Sequence, residues 1–523
     1  MHTNDTARVS SPETVSSDAP IETATEPAKV AGDSLRHGST RLFAAKVFFL
    51  GAGLVQQVLL PHALGLEGYG LLARVLAPLN VVNNVAVGAS MQNASKATAS
   101  GFPKLAAILS VQLVLAALVV TGLYVLAPLL AAFQHAPAIL LPLRFGAVLC
   151  GLYVVYAALV GVLNGRQAFA QQGALDMTAA TLRTAGLVGG GLVGLRVLGS
   201  GPLGAVLGTV LAGASMIAIA WLVVKPRDLL GQPSEGHLFL VRSVGALAAA
   251  QLVTNLLLQA DIMLLGRVFA VRGAISSDAD RAIGVYRACQ MFSLLPYQLV
   301  ASVSLTLFPL VAKVRAGGSA SELQELVHRG LRLGAVLAAV LVAVTVALPG
   351  PLLRLAFGVP IATLGLDILR PLGASQGILV LGALASTVLV ALGEIRRAAF
   401  AGLVGLGVII VGILLIGPGA DPLRGTALWL GAGFAAQACI AFGVLLKCAP
   451  GAVPGKTFLR AACLVSACLQ VPSAADGPRL AAVALAPVVA LVAVLFLAAT
   501  GEWTHAECMH IRSTVASRFR PRA

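Results

Sequence analysis

The sequence places three cationic side chains inside long apolar stretches, where a charge is costly: Lys46, Arg183 and Arg287. Two further arginines, Arg74 and Arg144, lie near the ends of such stretches. A guanidinium that has lost its water can hold an anion such as phosphate through two parallel hydrogen bonds. We therefore consider these cations as candidate anion ligands, with Arg287 and Lys46 first, Arg183 next and Arg74 last.

Each cation also has a purely structural explanation. Asp176 lies two turns from Arg183 on the same helical face, so the two residues could form an ion pair. Asp261 could likewise pair with Arg287. An anionic ligand could displace Asp261 from Arg287, and Asp261 could then bind a proton or Na⁺. Asp261 is therefore the candidate ion-coupling residue. The remaining cations could extend to the headgroup region from the ends of their helices: Lys46, Arg74 and Arg144.

Amide side chains are concentrated on the same stretches as these charges. Gln251, Asn255 and Gln259 recur every fourth residue and so form one stripe along a helix. Lipid disfavours such a stripe, which should face the protein interior or a water-filled cavity. The alternative is that each amide bonds to a neighbouring helix, an interaction that is common and modest in strength. The candidate cavity amides are Gln57, Asn83, Asn84, Gln251, Asn255 and Gln290.

The elements that carry these residues are apolar helices. Hydrophobic residues make up 58% and charged residues 11% of the 523 residues, and the mean hydropathy is +0.91. A soluble domain carries about twice that charge, and the apolar runs are longer than the roughly 10 residues of a membrane barrel strand. We therefore expect an all-α polytopic membrane protein. Basic cytoplasmic loops explain the net charge of +15, so no nucleic-acid partner is expected.

About fourteen transmembrane helices are predicted from the apolar runs. Lysine and arginine are more frequent on one side of these spans, which predicts that both termini are cytoplasmic. The spans are expected near residues 42–60, 71–94, 105–133, 138–163, 174–197, 203–224, 243–269, 283–311, 331–349, 371–392, 399–417, 425–447, 459–472 and 480–499.

The chain repeats itself after six spans. The interval from Tyr69 to Lys96 equals the interval from Tyr286 to Lys313; a turn contains Gly68-Tyr69-Gly70 in the first half, and a turn leads to Gly284-Val285-Tyr286 in the second. Halves of the same orientation predict two six-helix lobes that are related by a pseudo-twofold axis along the membrane normal, with the site between them. The expected organisation is a disordered cytoplasmic tail (1–38), a first lobe (39–224), a cytoplasmic loop (225–241), a second lobe (242–447), two additional helices (448–500) and a basic cytoplasmic tail (501–523).

Four short segments carry a resemblance to a known family. The turn Leu64-Gly-Leu-Glu-Gly-Tyr-Gly-Leu71 resembles the turn after the first span of bacterial polysaccharide exporters. The segments Asp261-Ile-Met-Leu-Leu-Gly266, Ile283-Gly-Val-Tyr286 and Leu307-Phe-Pro-Leu310 resemble the seventh and eighth spans of the same proteins. Over residues 40–447 the chain is similar to the Wzx-type oligosaccharide flippases of the multidrug/oligosaccharidyl-lipid/polysaccharide exporter superfamily. The resemblance implies a central cavity lined by the first, second, seventh and eighth spans.

The resemblance also implies a function and its partners. Such a flippase moves an oligosaccharide linked to a polyprenyl pyrophosphate across the bacterial inner membrane by alternating access, for cell-surface polysaccharide such as lipopolysaccharide or exopolysaccharide. The cations would then hold the pyrophosphate. Implied partners are the lipid-linked oligosaccharide, membrane lipids, H⁺ or Na⁺, and the glycosyltransferases and polymerase of the same pathway.

Two other functions remain open. A cation-coupled multidrug exporter of the same superfamily should carry acidic residues in its cavity, but inside the spans the main acids are Asp176 and Asp261. A membrane polysaccharide polymerase or ligase typically has a large outer loop with catalytic residues, whereas the longest outer loop here, residues 350–370, is short and apolar. No catalytic residues, cofactor or metal site are predicted, so the chain is not expected to be an enzyme.

Overall fold

The computed structural model describes residues 26–100, 105–225, 237–472, 478 and 480–503. Within these ranges the chain forms helices and turns and contains no strand. The predicted disordered tail stays a prediction for residues 1–25, which lie outside the described residues, as does most of the basic tail. The backbone is helical from Glu26 onward, whereas the sequence predicts disorder as far as residue 38. The side chain of Lys46 also lies outside the described part of the structure.

The helices follow one another through short connections, which confirms the all-α polytopic fold. They are α1 (Glu26–Ala99), α2 (Leu105–Phe133), α3 (Leu140–Gly165), α4 (Phe169–Val197), α5 (Gly201–Val224), α6 (His237–Val271), α7 (Ser276–Ser293), α8 (Leu295–Gly317), α9 (Ala320–Ala347), α10 (Pro349–Phe357), α11 (Val359–Ala391), α12 (Ile395–Leu414), α13 (Pro422–Cys448), α14 (Gly455–Leu469) and α15 (Ala481–Ala499).

Two of these boundaries have a local cause. Gly65, with φ 72° and ψ 172°, interrupts α1 in a conformation that strongly favours glycine, so α1 consists of a first arm (26–64) and a second arm (66–99). Pro296 follows the junction of α7 and α8 and cannot donate a backbone hydrogen bond there, so these two helices form one bent span.

The fourteen predicted spans each have a helix. Eleven stretches of the described residues are long and apolar enough to cross a membrane, and one of them, Gly51–Ala99, covers both arms of α1. Two of the helices at predicted spans are not among these stretches: α4, which carries charged residues, and α14, which has 15 residues. The short helix α10 is additional to the prediction.

Close packing within and between the lobes depends on small residues. In the first lobe, α4 and α5 approach through Gly186, Gly190 and Gly194 on one side and Gly204 and Gly208 on the other, where an added Cβ would overlap the facing backbone. The second arm of α1 packs against α6 and α7 of the other lobe. The largest apolar core, which includes Leu72, Leu265 and Phe434, therefore extends across both lobes.

The C-terminal helices α14 and α15 pack against α9 and are held there by a buried carboxylate. Glu502 Oε1 accepts hydrogen bonds from Arg332 Nε at 2.8 Å and from Thr457 Oγ1 at 2.7 Å, and Oε2 accepts one from Arg460 Nη1 at 2.8 Å. Burial alone would raise the pKa of Glu502, but these hydrogen bonds, from Arg332, Thr457 and Arg460, hold the pKa below its ordinary value.

Replacing Glu502 with glutamine should loosen this attachment. The pKa of Glu502 is lower in the folded protein than in the unfolded chain, so the ionised side chain stabilises the fold. This stabilisation is fully present above the pKa of glutamate in the unfolded chain, about 4.3. It is lost as the pH falls through the pKa of Glu502 in the folded protein. We expect Glu502→Gln to lower the free energy of unfolding by about 2 kcal/mol at neutral pH, since it removes hydrogen bonds to a charged group. Thermal unfolding in detergent should show this difference shrinking in acid.

The matched control is Glu325→Gln. Its partner Arg329 lies four residues away on the exposed surface of α9, where an ion pair contributes little to stability. Equal effects of the two substitutions at neutral pH would contradict the role assigned to Glu502.

Candidate functional site

A cavity of about 180 Å³ lies between the two lobes. The first arm of α1 and α4 form its wall on one side, and α7 and α8 form its wall on the other. Among the described residues, its polar lining comprises two arginines and three glutamines, with one aromatic ring beside them: Arg183, Arg287, Gln56, Gln57, Gln298 and Phe49.

The two arginines of the cavity come from opposite lobes. Arg183 on α4 is half-buried, and its guanidinium carbon lies 5.0 Å from the centre of the Phe49 ring. Its Nε is buried without a hydrogen-bond partner. The ion pairs among the described residues include none between Arg183 and Asp176, and none at Arg287. The cavity therefore holds two guanidinium groups that form no direct ion pair with a carboxylate of the described chain.

Arg287 reaches Asp261 only through an intervening glutamine. Arg287 Nη1 donates to Gln290 Oε1 at 2.8 Å, and Gln290 Nε2 donates to Asp261 Oδ2. Asp261, which is 1% exposed, also accepts hydrogen bonds from the Tyr286 hydroxyl at 2.9 Å and from the Ile262 amide at 2.8 Å. The structure thus replaces the direct pair considered from the sequence with a three-residue chain.

Tyr69, the repeat equivalent of Tyr286, bonds to the lining of the cavity from the first lobe. Its hydroxyl donates to Gln57 Oε1 at 2.7 Å. Gln56, which precedes Gln57, accepts from the Thr184 hydroxyl at 3.4 Å. The polar groups on this side of the cavity are therefore held by hydrogen bonds within the first lobe.

Arg74 lies outside the cavity, in a contact that closes one end of the interface between the lobes. Its Nη1 donates to Asp280 Oδ1 at 2.5 Å in a buried ion pair, and its Nη2 donates to the carbonyl of Gln134. Gly70 and Gly284 let the backbones meet beside this pair, because an added Cβ at Gly70 would overlap the carbonyl of Asp280. The structure thus corrects two expectations for Arg74, since it neither lines the cavity nor extends to the headgroups.

Of the six predicted amides, Gln57 lines the cavity, Gln290 lies behind it, and the other four lie where α1 meets α6. Asn84 Nδ2 donates to Asn255 Oδ1 at 3.0 Å across the lobes, and Asn255 Nδ2 donates to the carbonyl of Gln251 at 2.9 Å. The Gln251 side chain packs on Gly88, and Asn83 is half-buried with no partner for its Oδ1. These residues join the second arm of α1 to α6.

Part of this site was predicted from the sequence, and part was not. Arg183, Arg287 and Gln57 lie together in the cavity, and Gln290 and Asp261 lie behind it. Gln56, Tyr69 and Asp280 were not among the candidates. The repeat pattern signals Tyr69, since it is equivalent to Tyr286, but no sequence signal connects Asp280 to an arginine 206 residues away. Arg144, also considered, lies over the Tyr124 ring at 4.7 Å.

Comparisons with known proteins agree with this architecture. A sequence model of the family described as "Polysaccharide biosynthesis protein" matches residues 59–360. No curated protein sequence matches the chain.

Among solved structures, the chain is similar to the lipid II flippase MurJ in an inward closed conformation, at 15% identity over 87% of this chain and 98% of that chain, with a TM-score of 0.65. It is also similar to an inward-facing multidrug resistance MATE family transporter of the MOP superfamily, at 14% identity over 80% and 94% of the two chains, with a TM-score of 0.61. A third similar structure is a MOP superfamily transporter from Pyrococcus furiosus, at 15% identity over 83% and 96%, with a TM-score of 0.54. At these identities the likeness concerns the fold alone.

Proposed function

We propose that this chain, which belongs to the family of polysaccharide biosynthesis proteins, moves an oligosaccharide linked to a polyprenyl pyrophosphate across the bacterial inner membrane. The chain is a multi-pass membrane protein with the fold of MOP superfamily transporters. In the proposal both termini are cytoplasmic, and the cargo serves the synthesis of cell-surface polysaccharide by alternating access.

The observation that carries the proposal is the pair of arginines in the central cavity. Arg183 and Arg287 face one space from opposite lobes, and neither forms a direct ion pair with a carboxylate among the described residues. Two guanidinium groups that converge in a low-dielectric site should attract an anion with more than one charge. A pyrophosphate has this chemistry, and it is the charged part of the proposed cargo.

The composition of the lining also favours an anionic cargo over a cationic drug. The lining of the cavity, in the part of the chain that is described, contains no aspartate or glutamate. Asp261, the nearby acid, is buried behind Gln290 and bonded to three donors. A cationic drug would meet two positive charges and no accessible carboxylate, which Coulomb repulsion disfavours.

Alternating access assigns a role to the closed end of the interface. For the cavity to open at that end, the ion pair of Arg74 with Asp280 and the contact of Gly70 with Asp280 must separate together. We assign this end to the outer face of the membrane, because the basic-residue bias puts the turn at Gly65 outside.

Removal of the protein from its host tests the proposed function. We expect surface polysaccharide to be lost and the pyrophosphate-linked oligosaccharide to accumulate in the membrane, accessible only from the cytoplasmic side. Normal surface polysaccharide combined with a new sensitivity to cationic drugs would instead favour the multidrug exporter.

A further inference from the structure

The hydrogen bonds around Gln290 fix the direction in which its amide points. A guanidinium can only donate hydrogen bonds and an ionised carboxylate can only accept them. Gln290 lies between one of each, so its Oε1 must face Arg287 and its Nε2 must face Asp261. This orientation is compatible with Asp261 in its ionised form.

The opposite orientation of the amide has an equally definite meaning. If the amide turns over, its Oε1 faces Asp261, and two oxygens can share a hydrogen bond only when the carboxyl carries a proton. Its Nε2 then faces the cavity side, where it can donate to an anion held by Arg287. The first orientation therefore corresponds to an empty site with Asp261 ionised, and the second to a bound anion with Asp261 protonated.

We infer that Gln290 is a positioning residue that couples anion binding at Arg287 to protonation of Asp261. An anion that takes the Arg287 guanidinium withdraws the donor that holds Gln290 Oε1, the amide turns over, and Asp261 takes up a proton from the buffered solvent. This inference rests on the proposed function, because it takes the pyrophosphate of the cargo as the anion. By reciprocity, a proton on Asp261 strengthens anion binding by the same factor.

The described titratable and charged groups around Asp261 are a tyrosine hydroxyl and cations, which makes the Asp261 carboxylate the candidate proton acceptor. Tyr286 and Arg287 face it from α7, and the nearest cation of the second arm of α1, Arg74, is paired with Asp280. The charged residues of the other helices that pack on α6 lie near the ends of α12 and α13: Arg396, Arg397, Arg424 and Lys447.

The test uses the full-length protein in detergent and geranyl diphosphate as a soluble probe. Calorimetry in buffers of different ionisation enthalpy gives both the affinity and the number of protons taken up on binding. On binding geranyl diphosphate, the wild-type protein should take up about one proton more than Asp261→Asn does. For each unit by which the pH falls, the affinity of the wild type for the probe should therefore rise by about tenfold more than the affinity of Asp261→Asn. Subtraction of the Asp261→Asn value cancels the titration of the probe itself.

Gln290→Leu should still bind the probe but take up no more protons than Asp261→Asn. Gln259→Leu is the matched control, because Gln259 is a buried glutamine two residues before Asp261 that has no contact with Arg287 among its described bonds. It should keep the wild-type proton count, and thermal unfolding should show that each variant is folded.

The outcomes separate the two claims. A wild-type protein that does not bind geranyl diphosphate overturns the proposed function and the coupling with it. Binding with equal proton uptake in the wild type and Asp261→Asn overturns the coupling alone. Wild-type proton uptake in Gln290→Leu shows that Asp261 is coupled by another route and overturns the role of Gln290.

Discussion

Arg287→Ala should abolish the appearance of surface polysaccharide while the protein remains in the membrane at its normal level. The substitution removes a cation that reaches into the cavity, and the loss of charge-assisted hydrogen bonds to pyrophosphate should cost about 3 kcal/mol, or roughly 100-fold in affinity. The fold should tolerate the change, because Asp261 keeps its bonds to Tyr286 and the Ile262 amide. Surface polysaccharide and membrane abundance are measured together.

Two further variants distinguish binding from charge balance. Arg287→Lys keeps the charge but loses the planar pair of donors, so it should retain part of the export. The double variant Arg287→Ala with Asp261→Ala removes both charges and should be as inactive as the single variant. Wild-type export by this double variant would mean that Arg287 only balances Asp261, and would contradict its role in cargo binding.

Gly70→Val should also eliminate export, for a different reason. A side chain at this position would overlap the carbonyl of Asp280, so the lobes could not close at the end where Arg74 meets Asp280. Alternating access requires this closed state, and its loss should leave the cavity open on one side. The open state is measured with Gln57→Cys in the cavity, which should react faster with a membrane-impermeant thiol reagent added outside.

Gly122→Ala provides the control for Gly70→Val, since nothing lies within 4 Å of a Cβ added at Gly122. It should leave export and the labelling of Gln57→Cys unchanged. If Gly70→Val instead supports normal export, the contact between Gly70 and Asp280 is not required for transport. If labelling increases from the cytoplasmic side only, the closed end faces the cytoplasm and the assigned orientation is wrong.

The fold could be predicted from the sequence because lipid leaves few alternatives. Runs of about 20 apolar residues must form helices in a membrane, since every backbone group must bond within its own segment. Boundaries were less predictable where they depend on single residues. Gly65 breaks α1 into two arms, and the bend at Pro296 divides one span into α7 and α8. Neither feature changes the hydropathy of the surrounding sequence, so hydropathy does not reveal it.

The site residues that could be predicted are those whose charge is energetically costly within an apolar stretch. Arg183 and Arg287 are exceptional within apolar stretches, and the structure brings them to one cavity. Pairing was less predictable, because it depends on which distant residues meet. Asp280 lies in a polar segment, where an aspartate is ordinary, so the sequence does not indicate its ion pair with Arg74. Helical periodicity likewise does not specify that the Gln290 side chain lies between Arg287 and Asp261.

Transport by the purified protein in liposomes tests the central claim most directly. The liposomes contain a fluorescent oligosaccharide linked to a polyprenyl pyrophosphate, and a membrane-impermeant reagent that destroys the fluorophore irreversibly reports the fraction that reaches the outer leaflet during the assay. We expect wild-type protein to make nearly all of the labelled lipid accessible, and Arg287→Ala to leave only the outer-leaflet half accessible, as in protein-free liposomes. Equal accessibility with wild-type protein and without protein, or full translocation by Arg287→Ala, would contradict the central claim.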